Sequence, residues 1–501
     1  MTRSQKALLN IICEFGFEVI TAICGFILPR LILVHFGSEY NGITQSISQF
    51  IGCIAIMKSG IGSVTRAALY KPLAENDRTK ISEIINATEQ FMHKIAYFFI
   101  GGVFLFATMY PLLVKEDFNW LFSFTLVLIL SISTFAQYFF GLTYQMVLQA
   151  DQRNYIISIV QSLATIFNAV FASMLILTGF SIHIVKLLSA IAFAIPPIFY
   201  MLYVKKKYNI NKKAKPNYQL ISQRWDAFGH QVANFITTNT DIMLITIFLN
   251  VREVSVYTVY CMIINAVKQL VTTISTGTTA AFGNMLAQKE NQKLKERFSQ
   301  YEILIFGIST VVFTTTMVLI VPFISLYTRG INDVEYVRPI FSILLCVSGY
   351  LMCIRLPYEQ IIYAAGEFKK TKNGAYAEAA INIVVSIIAL QIIGINGVII
   401  GTIVAIAYRN IRYSIFVAEN IVIRSRFSLV GKLAYSLLCS FTSIMIFQCF
   451  VHMTITSYFQ WFAYAFLVFM VVASISIIYG IIFYKKYIIQ LIKMFKGMIR
   501  K

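Results

Sequence analysis

The sequence predicts an all-α integral membrane protein with fourteen transmembrane helices, on three observations: an apolar composition, long apolar runs recurring along the chain, and basic residues gathered in alternate loops. Of 501 residues, 58% are hydrophobic and only 13% charged. That leaves too little polar surface for the roughly two to four soluble domains a chain of this length would otherwise form. Apolar stretches of about 20 residues or more can each cross the roughly 30 Å hydrocarbon core at 1.5 Å rise per residue.

The candidate spans are 8–34, 42–69, 91–114, 118–146, 155–178, 182–204, 227–249, 254–284, 301–327, 338–365, 374–393, 395–418, 429–451 and 457–484. The first follows Arg3 and Lys6 as a signal peptide would, but it carries Glu14 and Glu18 and lacks a small-residue cleavage site, so a retained helix is expected. Numbering the segments between spans alternately and counting the adjoining span edges at Lys432 and Arg338 with them, one set holds 29 of the 42 Lys and Arg, Lys432 included, and the other holds four, Lys115, Arg252, Arg329 and Arg338. Positive charge resists translocation, which places the basic set and both termini in the cytoplasm of a multi-pass cell-membrane protein. The same scatter of charge between apolar runs explains the net charge of +20 without a nucleic-acid partner.

Two halves of the chain resemble each other. The segment LAENDRTKISE at Leu73 recurs as LAQKENQKLKE at Leu286; Tyr144, Ala150 and Asn168 correspond to Tyr358, Ala364 and Asn382, and Gly179 to Gly394. A six-span repeat keeps both copies in one orientation, related by an axis along the membrane normal, as in transporters that bind substrate near midplane and rock between two states. The expected organisation is an N-lobe over 1–204, a basic cytoplasmic linker over 205–226, a C-lobe over 227–420, and spans 13 and 14 with a basic tail over 421–501.

Eight cysteines lie in apolar runs without ligand spacing. There is no GxxxxGK[ST] phosphate loop and no HExxH, so neither ATP hydrolysis nor zinc chemistry is expected, and no cofactor. An enzyme is not expected either. A membrane glycosyltransferase or polymerase is the reading from another class, but its large external loop is missing, the longest outside stretch being Arg329 to Arg338.

Charges inside spans are costly, about 2.5–3.5 kcal/mol each on insertion scales, and therefore face a bundle interior or a water-filled cavity. Lys58, Lys268 and Arg355 fall near midplane. Arg30 and Lys186 lie toward the outer interface, and Arg66, Arg409 and Arg412 toward the inner one, where long side chains can snorkel. Acids at similar depth, Glu14, Glu18, Asp241 and Glu359, could neutralise some of them; Glu359 sits one turn from Arg355, and Glu18 could pair with Lys58. Asp241, and with it Glu18, could instead couple transport to a proton or sodium ion. Neutral hydrogen-bonding groups, among them Gln137, Tyr144, Gln161, Asn168 and Asn265, could bind sugars or join helices.

The segments LPRLILVHFGSEYNG at Leu28, SGIGSVTRAALYKPLAENDRTKI at Ser59 and TTNTDIMLITIFLNVREVSVYTV at Thr237, with LQADQRNYI at Leu148 and IIYAAGEFKKT at Ile361, resemble the Wzx-type polysaccharide flippases of the multidrug/oligosaccharidyl-lipid/polysaccharide exporter superfamily. Two extra C-terminal spans are similar to the arrangement in the MurJ family of lipid II flippases. The resemblance implies flipping of an undecaprenyl-pyrophosphate-linked oligosaccharide from the inner to the outer leaflet for capsule- or O-antigen-like polysaccharide, with membrane lipids and the polymerase and glycosyltransferases of that pathway as partners. On that reading Arg30, Lys58, Lys268 and Arg355 line a cationic cavity for the pyrophosphate, with Arg66 and Arg409 as cavity cations nearer the cytoplasm. The alternative transporter is a multidrug and toxin extruder, which shares the two-lobed plan but exports cations.

Overall fold

The structure, a computed structural model, describes residues 3–58, 61–114, 118–211, 213–218, 239–275, 278–450 and 455–499, and every long element among them is a helix. By its own contacts the chain divides into two compact units, Met1–Thr258 and Val259–Lys501. The first holds α1 (Arg3–Phe36), α2 (Ser38–Ile54), α3 (Ile61–Glu75), α4 (Arg78–Leu113), α5 (Trp120–Ala136), α6 (Leu142–Ala150), α7 (Asn154–Leu177), α8 (Ile182–Tyr208), α9 (Asn239–Phe248) and the start of α10 (Val251–Ile274). The second holds the rest of α10, then α11 (Thr278–Ala287), α12 (Asn291–Tyr327), α13 (Pro339–Ala364), α14 (Phe368–Ile393), α15 (Ile395–Asn420), α16 (Ser428–Phe450) and α17 (Tyr458–Ile499).

Twelve helices among the described residues are long and apolar enough to cross a membrane, α5 and α6 counting as one through the π-helical turn Gln137–Gly141. Of the other two predicted spans, the second is described in broken form and the seventh only in part. The second is not the continuous helix expected over 42–69. It breaks into α2, a 3-10 turn over Ala55–Lys58, and α3, and the sequence Ser59-Gly60-Ile61-Gly62 gives the reason, since two glycines within three residues weaken a helix. Of the seventh, α9 is described, whereas 219–238, with most of the basic linker's end, lie outside the described residues.

The outward faces are apolar, as burial in lipid requires. On α17, Phe459, Phe462 and Phe466 stand on one side at helical spacing, 84%, 66% and 68% exposed. Several polar groups inside pair with one another: Asn41 donates to Ser255 Oγ at 2.8 Å, and Tyr110 and Thr246 both donate to Ser46 Oγ at 2.9 Å. These bonds bring α9 and the first turns of α10 into the first unit, although they follow the linker in sequence. Gly42 permits the approach, because a Cβ there would lie 1.7 Å from the Val251 carbonyl oxygen.

The repeat is visible in backbone geometry. Left-handed turn residues occur at Asn76 and Lys289, Gln152 and Gly366, Gly179 and Gly394, and Asn209 and Ile423, pairs separated by 213 to 215 positions. Packing repeats with them. In the first unit α7 packs on α8, α5 on α8, α4 on α5 and α3 on α6; in the second α14 packs on α15, α13 on α15, α12 on α13 and α11 on α13. α16 and α17 have no counterpart in the repeat. They pack on each other and on α12 through Leu319, Phe447, Tyr464, Val468 and Val472, and Trp461 donates to the Leu319 carbonyl at 3.1 Å.

The α14–α15 hairpin uses the small-xxx-small device of membrane helices, in which glycines let backbones touch. Gly397 meets Ala389, and a Cβ on Gly401 would lie 2.1 Å from Ser386 Oγ and 2.5 Å from its backbone nitrogen. Gly401→Val is therefore expected to cost about 1–3 kcal/mol through overpacking. Gly101→Ala, where nothing lies within 4 Å, should be close to neutral in the same thermal unfolding assay of detergent-solubilised protein.

A second joint fixes the start of the chain. Between α6 and α7, Asp151 accepts from Lys6 of α1 at 3.1 Å, from Tyr208 of α8 at 2.5 Å and from Arg153. Burial pushes the Asp151 carboxyl up, but the bonds from Tyr208, Arg153 and Lys6 outweigh it and hold the group below its ordinary value. A depressed carboxyl stabilises fully above its unfolded pKa, and the contribution disappears as pH falls through the folded one. Asp151→Asn should thus lower Tm near neutral pH, with the gap from wild type closing only below the ordinary carboxylate range.

Candidate functional site

Each unit builds a Tyr–Glu–cation cluster whose Tyr and Glu hold repeat-related positions, half-buried in the first unit and buried in the second. In the first, Tyr144 of α6 donates to Glu89 of α4 at 2.7 Å, and Lys205 of α8 lies 3.5 Å from the same carboxylate and over the Tyr144 ring. In the second, Tyr358 of α13 donates to Glu302 of α12 at 2.5 Å. Arg424 forks onto both Glu302 oxygens at 2.5 and 2.8 Å, and Lys432 of α16 reaches Oε2 at 2.8 Å. Glu302 has no exposed surface. The sequence reading picked out both tyrosines but neither glutamate; the pairing of Glu89 with Glu302, 213 positions apart, was the signal available.

The cations predicted within spans fall into different settings. Arg355 makes ion pairs with Glu359 at 2.8 Å, as the one-turn spacing allowed, and with Glu378 of α14 at 2.7 Å. Arg409 of α15 lies 3.9 Å from Glu378, stacks over the Tyr413 ring at 4.2 Å and donates to its hydroxyl. Two cations and two carboxylates make this network neutral, so it offers little net field to an anion. Glu378, inside the eleventh span, is the acid that the sequence reading overlooked.

Lys268 is partly buried on α10 and has no ion pair or hydrogen bond among the described residues. Arg30 is partly buried on α1, and Arg66 of α3 donates to Gln149 of α6 at 2.8 Å. Lys58 ends the 3-10 turn of the broken second span, its side chain outside the described residues. Glu18, and Glu14 one turn before it, stand exposed on α1. Asp241 of α9 is buried and accepts from Tyr257 of α10 at 2.8 Å.

The first unit encloses a cavity of about 200 Å³ beside the π-helical turn. Its polar wall includes Gln137, Gln145, Gln161, Thr165 and Tyr200, and Pro196 and Pro197 of α8 border it where Gly141 lets α8 approach. Gln137 and Gln161 were among the predicted sugar-binding candidates, and the fold brings them together with Gln145, which was not. Amides and hydroxyls without charge suit sugar hydroxyls, donating and accepting in turn.

No protein-family model and no curated protein sequence matches the chain, so comparison rests on structure. A structure of the lipid II flippase MurJ in an inward closed conformation superposes with a TM-score of 0.70, at 16% identity, covering 96% of this chain and 100% of that one. The chain shares its fold with MurJ. An inward-facing multidrug resistance MATE transporter of the MOP superfamily matches at TM-score 0.58 and 16% identity over 80% of this chain and 98% of its own. A eukaryotic MATE transporter, AtDTX14, matches at 0.59 and 14% over 87% and 98%. The remainder left by MurJ is shorter than either α16 or α17, so that likeness extends into both C-terminal helices.

Removing one partner from a fully buried ion cluster strands the others. Glu302→Gln should therefore destabilise the second unit by about 3–5 kcal/mol, because Arg424 and Lys432 lose their only carboxylate among the described residues. Glu89→Gln should cost clearly less, since Glu89 and Lys205 keep 20% and 25% side-chain exposure. Denaturation followed by a fluorophore placed in each unit separates the two.

Proposed function

We propose that the protein is a flippase that carries an undecaprenyl-pyrophosphate-linked oligosaccharide from the inner to the outer leaflet by alternating access, serving the synthesis of a cell-surface polysaccharide. The observation that carries this reading is the extent of the fold likeness, which for the lipid II flippase reaches into both C-terminal helices α16 and α17. The loop-charge asymmetry supports an orientation with both termini in the cytoplasm, so the lipid-linked substrate enters from the side on which it is made.

Lys268 is the first candidate for engaging the pyrophosphate. A cation in a low-dielectric surrounding attracts phosphate oxygens strongly, and this one is not neutralised by any described acid. Arg30 and Lys58 are further candidates, with Arg66 nearer the cytoplasm. Arg355 and Arg409 contribute less in this reading because Glu359 and Glu378 compensate them. Asp241 is the candidate for ion coupling, with Tyr257 as the partner that would sense its protonation. A cation exporter of the MATE kind would want an acid-rich cavity, whereas the described cavity wall is amide and hydroxyl.

Two experiments test the proposal. Deletion should cause undecaprenyl-linked oligosaccharide to accumulate on the inner leaflet, read by mass spectrometry, and reconstituted protein should flip it; neither accumulation nor flipping would overturn the reading. In the same vesicles Lys268→Glu should slow flipping by at least about tenfold, equivalent to about 1.4 kcal/mol, with Lys268→Arg close to wild type. Asp241→Asn should remove the dependence of flipping on pH or sodium, and a variant with unchanged dependence would exclude that residue as the coupling site.

A further inference from the structure

A second cavity, about 360 Å³, lies in the first unit between α1, α2, α5, α7 and α8. It shares Ser133, Thr134 and Phe193 with the glutamine-lined cavity, so the two are adjacent compartments of one interior. What distinguishes it is charge. Lys186 of α8 lines it and has neither ion pair nor hydrogen bond among the described residues.

The rest of the lining makes this cation conspicuous. Leu28, Ile32, Val185 and Phe193 form apolar walls, which strengthen electrostatic attraction by excluding water. Polar groups appear on facing helices: Ser48 from α2, Ser133 and Thr134 from α5, and Asn168 from α7. Asn168 Oδ1 is buried and has no hydrogen-bond partner. Oδ1 of its repeat-related counterpart Asn382 is equally unpartnered, but there the amide nitrogen donates to Thr402 across the α14–α15 hairpin at 2.9 Å, whereas the Asn168 nitrogen makes no such bond among the described residues. The first unit has thus left open at Asn168 a position that the second uses to join two helices. An unpartnered cation and an unsatisfied amide on two helices of one cavity are both costly inside a membrane protein, and a bound ligand would satisfy both.

We propose that Lys186 anchors a binding site for a small anionic group, with the Asn168 amide and the Ser133 and Thr134 hydroxyls completing its hydrogen bonds. The chemistry is that of one compact negative charge beside neutral hydrogen-bonding groups. An acidic sugar, its carboxylate on Lys186 and its hydroxyls toward the adjacent glutamines, fits both compartments; an inorganic anion such as chloride fits Lys186 alone. The site rests on the cavity and not on the lipid carrier, so it can be tested without transport.

Purified full-length protein in nanodiscs is titrated with glucuronate, glucose and chloride near neutral pH, by calorimetry and by thermal shift. Glucuronate should bind and glucose at least about tenfold more weakly. Lys186→Met should weaken glucuronate binding at least about tenfold, while Lys186→Arg stays within about threefold, and the ligand-free Tm of Lys186→Met should be no lower than wild type. Asn168→Leu should weaken glucuronate more than chloride. Chloride competition on the unaltered protein distinguishes the sources: displacement of glucuronate places both on Lys186, and binding of chloride alone assigns the site to an inorganic ion. Equal binding by wild type and Lys186→Met, or no binding of either anion, would overturn the proposal. Flipping of the lipid-linked oligosaccharide is scored separately, so loss of this site and loss of the transport reading are independent results.

Discussion

A carboxylate with no access to water must find its positive partners within the protein, and Glu302 organises the second unit around that requirement. Four elements converge on it: α12 supplies the acid, α13 the Tyr358 hydroxyl, the α15–α16 connection the Arg424 fork, and α16 Lys432. The extra C-terminal helices are joined to the repeat-bearing core by this charge as well as by the apolar seam on α12. A hydrophobic seam alone would be a weak device in lipid, where apolar surface has no water to escape. An ion cluster with every partner bonded fixes one arrangement of helices, since any other leaves a bare charge.

The same logic, less severely applied, explains the first unit. Glu89 of α4, Tyr144 of α6 and Lys205 of α8 form a similar cluster, but with partial exposure and a single cation. The second unit adds Lys432 from a helix that the first lacks. The joint occurs in both units, and in the second it is also where α16 attaches.

Composition and periodicity made the helical membrane fold legible, and the repeat could be read because turns keep their backbone needs while lipid-facing residues drift. Asn76 and Lys289 share a left-handed conformation although their side chains have nothing in common. Sequence comparison sees little at such a pair, and geometry sees identity. The break in the second span was missed because hydropathy averages across Ser59-Gly60-Ile61-Gly62, where backbone propensity and not apolarity decides. The sites were less legible for a related reason. Depth along a helix can be estimated from sequence, but the angular position and the partner on a neighbouring helix cannot, so Glu359 was recognisable beside Arg355 whereas Glu378, on α14, was not.

Charge compensation separates the interior cations into two kinds. Arg355, Arg409, Arg424, Lys432 and Lys205 each face a carboxylate, and their positions follow from helix packing alone. Lys268 and Lys186 have no such partner among the described residues. A transporter of a charged cargo needs cations of the second kind, because a fully paired one must break an existing contact before it can bind anything. A compensated network such as Arg355–Glu359–Glu378–Arg409 gains from staying closed. In the proposed function it belongs to the framework, and the uncompensated charges are the ones left to meet a cargo.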